Sequence, residues 1–125
     1  MNDTIFIINA QDDTPMVKLE KTDNCNFITI EGIAMPENGL DFFIPLNEKI
    51  KTFFELNKSC VLELSIEYMN SMFNKQILKM IITLCDKMQP FKLVWKYSSA
   101  DELMKIKGDE IKSVFPEMDI VLAEF

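Results

Sequence analysis

Three groups of residues in this chain have the type and spacing to do chemistry: the carboxylates Glu31, Glu63 and Glu67, the cysteines Cys25, Cys60 and Cys85, and the hydroxyl of Ser71. The chain contains no histidine, which removes the commonest general base and metal ligand. Nucleophile sets of the Ser/His/Asp or Cys/His kind are therefore excluded. It also contains no arginine, so no bidentate phosphate clamp can be built within it. Glu63 and Glu67 fall on one face of a predicted strand, roughly 13 Å apart, beyond the ~5–9.5 Å that paired glycosidase carboxylates need. With Glu31 from another strand they outline at most a small-molecule or enzymatic pocket. The cysteines are odd in number and lack CxxC spacing, so neither a disulfide framework nor a zinc knuckle is expected. Cys60 and Cys85 lie in apolar segments and read as core residues. Gly32, Gly39 and Gly108 are isolated, so there is no glycine-rich phosphate loop. No catalytic residue, metal or cofactor is expected.

The hydroxyl is the more informative group. In Glu67-Tyr68-Met69-Asn70-Ser71-Met72-Phe73-Asn74-Lys75 the clearest strand ends and the strongest helix begins. Ser71 occupies the position of an N-cap, with a hydroxyl able to accept from the amide of Phe73 or Asn74. The same place suits a phosphoacceptor, because a phosphate would meet unpaired amides at the positive helix end, with Lys75 one turn on. Such a group adds about −1.5 to −2 charges to the surface. At 100° per residue Met72 projects with Gln76, Lys79 and Thr83, away from the core stripe. Met69, Asn70, Met72, Phe73 and Lys75 are the predicted docking residues around Ser71.

The elements that position these residues follow from periodicity. A short apolar run at 5–9 and a turn at Gln11-Asp12-Asp13-Thr14-Pro15 open the chain. Alternating segments at 16–20 and 27–31, joined through Thr22-Asp23-Asn24, predict a hairpin. A helix is expected over 42–56, with Phe43, Leu46, Ile50, Phe53 and Phe54 on one face and Pro45 tolerable only in its first turn. The strand at 60–68 turns Leu62, Leu64, Ile66 and Tyr68 one way and Glu63, Ser65 and Glu67 the other. The strand at 91–97 repeats the pattern, and its lysines could pair with the acidic face. Between them 72–88 reads as a helix with an inward stripe of Phe73, Ile77, Met80, Ile81, Leu84 and Met88. Strand, helix, strand of this length implies a parallel crossover. A last helix capped by Ser99 with Glu102, in a capping box, precedes a strand at 118–125. The expected fold is α+β: one domain over 1–125, a mixed sheet with helices mainly on one face.

Composition limits the partners. A net charge of −7 and thirteen scattered lysines oppose nucleic-acid binding. No apolar run approaches the ~20 residues that cross a bilayer. Residues 1–10 carry Asp3 and no basic residue, so no secretory signal is read there. A cytoplasmic, reducing location fits the free cysteines.

These pieces resemble, in order and spacing, the SiaC-type regulatory phosphoproteins of bacteria, a family whose fold is related to anti-sigma-factor antagonists (STAS-like). The resemblance runs from about Asp13 to the carboxyl end. It includes Asp13-Thr14-Pro15, Pro36-Glu37-Asn38, Phe42-Phe43 and Pro45-Leu46. Its most specific part is Leu64-Ser65-Ile66-Glu67-Tyr68-Met69-Asn70-Ser71 with Lys75, close to an LEYxNT/S…K junction. Val94-Trp95-Lys96-Tyr97 is similar to the family's VxWxY strand. The resemblance implies partner switching: a dedicated kinase phosphorylates the junction hydroxyl, here Ser71, and a PP2C-type phosphatase removes the group. The unmodified form then engages an output protein, in the best-known system a diguanylate cyclase controlling biofilm formation through cyclic di-GMP. Met72, Phe73 and Asn74 depart from the small or hydroxylated residues common after the acceptor. The other reading of the same fold is a constitutive adaptor that is not phosphorylated.

Overall fold

In the computed structural model, which describes residues 3–37, 39–54 and 58–125, nine elements follow one another. They are β1 (Asp3–Ile8), β2 (Met16–Lys21), β3 (Cys25–Ala34), α1 (Gly39–Phe53), β4 (Ser59–Met69), α2 (Ser71–Lys87), β5 (Phe91–Tyr97), α3 (Glu102–Val114) and β6 (Asp119–Glu124). The six strands form one sheet in the order β1-β2-β3-β4-β5-β6. The first three pair antiparallel and β3 to β6 pair parallel, so the sheet is mixed as expected.

The hairpin read at Thr22-Asp23-Asn24 is present, and Thr22 closes it. Its amide donates to the Cys25 carbonyl at 2.9 Å, and its hydroxyl oxygen accepts from the Cys25 amide at 3.1 Å. Each parallel pair is linked by one helix. Because neighbouring parallel strands are also sequence neighbours, crossovers of one hand put all three helices on the same face.

The alternation of the strands shows which face that is. Val17 and Leu19, Ile28 and Ile30, Leu62 and Leu64, and Leu93 and Trp95 have at most a few per cent of their surface exposed. Residues between them are half-buried or exposed on the uncovered face. There Glu63 meets Lys96 at 2.7 Å, the cross-strand pairing expected of the acidic and lysine faces, and this carboxylate raises the Lys96 ammonium above its ordinary range.

The starts of α3 and α1 differ from expectation. Ser99 does not cap α3: the Ser98–Asp101 turn and a bond from the Ser99 amide to the Phe125 carbonyl hold it outside the helix. Asp101 is the cap, its carboxylate accepting from the Met104 amide at 3.1 Å. Helix α1 begins at Gly39, three residues before the expected start, so Pro45 lies past the first turn. Pro45 and Asp41 are both exposed, and water can serve the Asp41 carbonyl that the ring leaves without a helical donor. The expected end of α1 at Leu56 lies outside the described residues.

Cys60, read as a core residue, has no exposed surface, and burial first and Cys25 second push its thiol up to about 12. An unfolded thiol with its value near 9.0 ionises sooner than the folded one. The neutral thiol's contribution is therefore intact below pH 9 and is lost as pH rises from 9 towards 12. Urea midpoints should fall across that window in the parent protein and stay flatter in Cys60→Ala. Equal slopes in the two proteins would contradict the assignment.

Candidate functional site

The site is the place where β4 hands over to α2. Strand β4 pairs with β3 in even register from Cys25↔Ser59 to Gly32↔Ile66, and then Ile33 pairs with Tyr68. Glu67 is thus the extra residue of a bulge, which reverses the alternation beyond it. Gly32, opposite the bulge, holds φ +122°, a conformation that L side chains rarely adopt.

The bulge corrects two expectations. Tyr68 does not follow Leu62, Leu64 and Ile66 into the core but stands 58% exposed, beside Ile33 on the open face. Glu67 leaves the row of Glu63, and Glu63 is already engaged by Lys96. None of Glu31, Glu63 and Glu67 lines the large groove of the molecule, which lies between helices on the other face. The structure lends no support to a pocket lined by these three carboxylates.

Asn70 organises the junction. Its amide donates to the Ala34 carbonyl at 3.0 Å, prolonging the β3–β4 pairing by one residue. Its side-chain nitrogen donates to the Pro36 carbonyl at 3.1 Å, and its side-chain oxygen accepts from the Phe73 amide at 2.8 Å. With φ −82° and ψ 170°, Asn70 is the N-cap of α2. Ser71 was expected to cap, but it is the first helical residue, because extended backbone persists through Asn70 and puts the cap there. Among the described residues no partner takes the Ser71 hydroxyl, and the side chain is exposed. The amides of Ser71 and Met72 have no intrahelical acceptor, as at any helix start.

The predicted docking residues divide. Met72, at 44% exposure, and Lys75 stand in solvent beside Ser71. Met69 is half-buried against the core, and Asn70 is half-buried with both ends of its side chain bonded. Phe73 is fully buried, its ring 5.1 Å from that of Phe43 and 5.7 Å from that of Phe42. It anchors α2 to α1 and cannot touch a partner. This corrects its place among the docking residues, and the helical stripe had already put it inside.

Reading the sequence missed three exposed apolar residues at the same end of the sheet: Ile33, Met35 and Tyr68. Only the bulge exposes Tyr68, and an alternating pattern carries no mark of an inserted residue. The arrangement offers an unmasked hydroxyl at a positive helix start, a lysine one turn away and a rim of exposed apolar side chains. No group of three or more metal-ligating side chains occurs among the described residues.

Comparison with known proteins is consistent with this geometry. The family model described as SiaC family regulatory phosphoprotein matches residues 8–125. A search of curated proteins finds no match. Among solved structures, a chain of the crystal structure of diguanylate cyclase SiaD in complex with its activator SiaC from Pseudomonas aeruginosa superposes with a TM-score of 0.83. It shares 17% identity, over 97% of this chain and 100% of that chain. Apo-SiaC from the same organism gives a TM-score of 0.76 at 14% identity, over 97% of this chain and 98% of that chain. Identities this low establish a shared fold, while the family model spans nearly the whole sequence. The chain belongs to the SiaC family of regulatory phosphoproteins.

Proposed function

We propose that this protein is a cytoplasmic partner-switching module in which Ser71 is the phosphoacceptor. A dedicated kinase adds the phosphate and a PP2C-type phosphatase removes it. The unmodified form binds an output protein of the diguanylate cyclase class, in line with the SiaC that activates SiaD in the related complex.

The observation that carries this reading is the exposed, unpartnered Ser71 hydroxyl at the first helical position, with Asn70 doing the capping. Because the cap does not depend on Ser71, phosphate can be added there without removing a bond that holds the helix. The helix start stabilises an anion at this position by roughly 0.3–1 kcal/mol. The same anion stands next to the exposed Met72, where it disrupts an apolar contact by charge and by its hydration.

The test is co-expression with the cognate kinase, mass spectrometry, and binding of the cyclase by Ser71 variants. Phosphate is expected on Ser71, Ser71→Ala should bind as the parent does, and Ser71→Asp should bind about tenfold more weakly. Folding separates the roles of neighbours: Asn70→Ala should cost about 0.5–2 kcal/mol as a lost cap, and Ser71→Ala should stay within about 0.5 kcal/mol. Phosphate confined to Ser98, Ser99 or a threonine would remove Ser71 from the mechanism. Equal binding by the Ala and Asp variants would leave a constitutive adaptor.

A further inference from the structure

Helices α1 and α2 do not close against each other along their whole length. Between them runs a groove of about 550 Å³, floored by Ile50, Met80 and Leu84, side chains otherwise almost entirely buried. Its rim carries Lys51 from α1 and Lys79 and Lys87 from α2, all three exposed. None of these lysines is ion-paired among the described residues. Three unneutralised cations around an apolar strip are unexpected on a protein of net charge −7.

We infer that this groove is the seat for an acidic amphipathic helix of a protein partner, its apolar stripe on Ile50, Met80 and Leu84 and its carboxylates flanking that stripe. The spacing of the lysines argues for a helix. Lys79 and Lys87 are eight residues apart on one wall, about 12 Å at 1.5 Å per residue, with Lys51 on the opposite wall. A partner helix lying along the groove presents carboxylates seven or eight residues apart at that same interval. A single-headed amphiphile such as a fatty acid has one anion and can answer only one of these positions. A second copy related by a twofold axis would bring the same lysines face to face.

The groove also adjoins the candidate switch. Gln76 lines its near end, and the side-chain amide of Gln76 lies 4.0 Å from the Met72 sulfur. A helix seated there ends beside Ser71, so a phosphate on Ser71 confronts the acidic partner with like charge. Occupation of the groove stands without phosphorylation; only this coupling rests on the proposed role of Ser71.

The experiment displays a library of 18-residue helices on phage, with glutamates fixed eight residues apart and the apolar face randomised, and selects on the whole protein at low salt. Selected peptides should shift the methyl resonances of Ile50, Met80 and Leu84. They should bind Lys79→Glu/Lys87→Glu at least about tenfold more weakly, although both sites are exposed and the circular dichroism is expected to be unchanged. Affinity should fall with added salt, and lysine in place of the fixed glutamates should abolish it. The inference is overturned by a selection without binders, by shifts that map elsewhere, or by affinity indifferent to the two reversals. Laurate filling the groove where the peptides do not, or the protein self-associating through it, overturns it as well. Loss of peptide binding in Lys79→Glu/Lys87→Glu with none in Ser71→Asp would keep the groove and reject the phosphate coupling.

Discussion

Phe73→Ala should destabilise the protein by about 3–5 kcal/mol, the cost of emptying a large, fully packed aromatic site. Phe73 has no exposed surface and its ring meets those of both Phe42 and Phe43, so its removal opens a cavity exactly where α1 and α2 are joined. Domains of this size are stable by roughly 5–15 kcal/mol in total, so the variant should lie close to the folding limit. A urea titration followed by circular dichroism reads the effect. Phe73→Leu fills most of the same space and should lose much less. The comparison matters for function because Phe73 is two residues from Ser71. Binding lost in Phe73→Ala and kept in Phe73→Leu means that the residue acts through the core. A midpoint unchanged in Phe73→Ala would contradict the packing described here.

Gly108→Ala should also destabilise, against the usual direction for a helix interior. Replacing glycine with alanine inside a helix ordinarily gains about 1 kcal/mol. Here a Cβ would stand 2.6 Å from Trp95 Cδ1, 2.9 Å from Trp95 Nε1 and 2.9 Å from Leu122 Cδ2. The indole cannot give way, because it is almost wholly buried and its N–H donates to the Met104 carbonyl at 2.9 Å. Helix α3 must therefore shift away from β5 and β6. Overpacking of this kind costs about 1–3 kcal/mol, which outweighs the gain in helix propensity. Trp95 is the only tryptophan, so its fluorescence reports the displacement directly, with emission moving to longer wavelength as water reaches the ring. Because the contact is remote from Ser71, partner binding by the folded fraction should be retained. A stability gain with unchanged emission would show that α3 is not seated on Trp95 as described.

Local pattern alone determined much of this protein. Alternation in Leu62-Glu63-Leu64-Ser65 and in Phe91 to Tyr97, and the 3.6-residue stripe from Phe73 to Leu84, specify strands and a helix because burial of one face is the dominant local constraint. Strand, helix and strand of these lengths permit little besides a parallel crossover, and the observed register between β4 and β5 agrees. The absence of histidine and arginine excluded the common catalytic sets, and the junction of strand and helix at 67–75 singled out the Ser71 hydroxyl.

Tertiary structure decided what that hydroxyl is surrounded by. The bulge at Glu67 arises from pairing with Gly32 and Ile33, residues more than thirty positions away, and it exposes Tyr68 where alternation alone would bury it. Asn70 takes the cap from Ser71 because pairing with β3 keeps its backbone extended, and its side chain is also bound to the Pro36 carbonyl. The lysines of the groove come from two helices whose mutual placement depends on the Phe42, Phe43 and Phe73 cluster. Periodicity is a property of neighbours along the chain and can be read from them. Caps shared between segments, inserted residues and opposed walls depend on contacts between distant parts of the chain, and only the folded backbone brings those parts together.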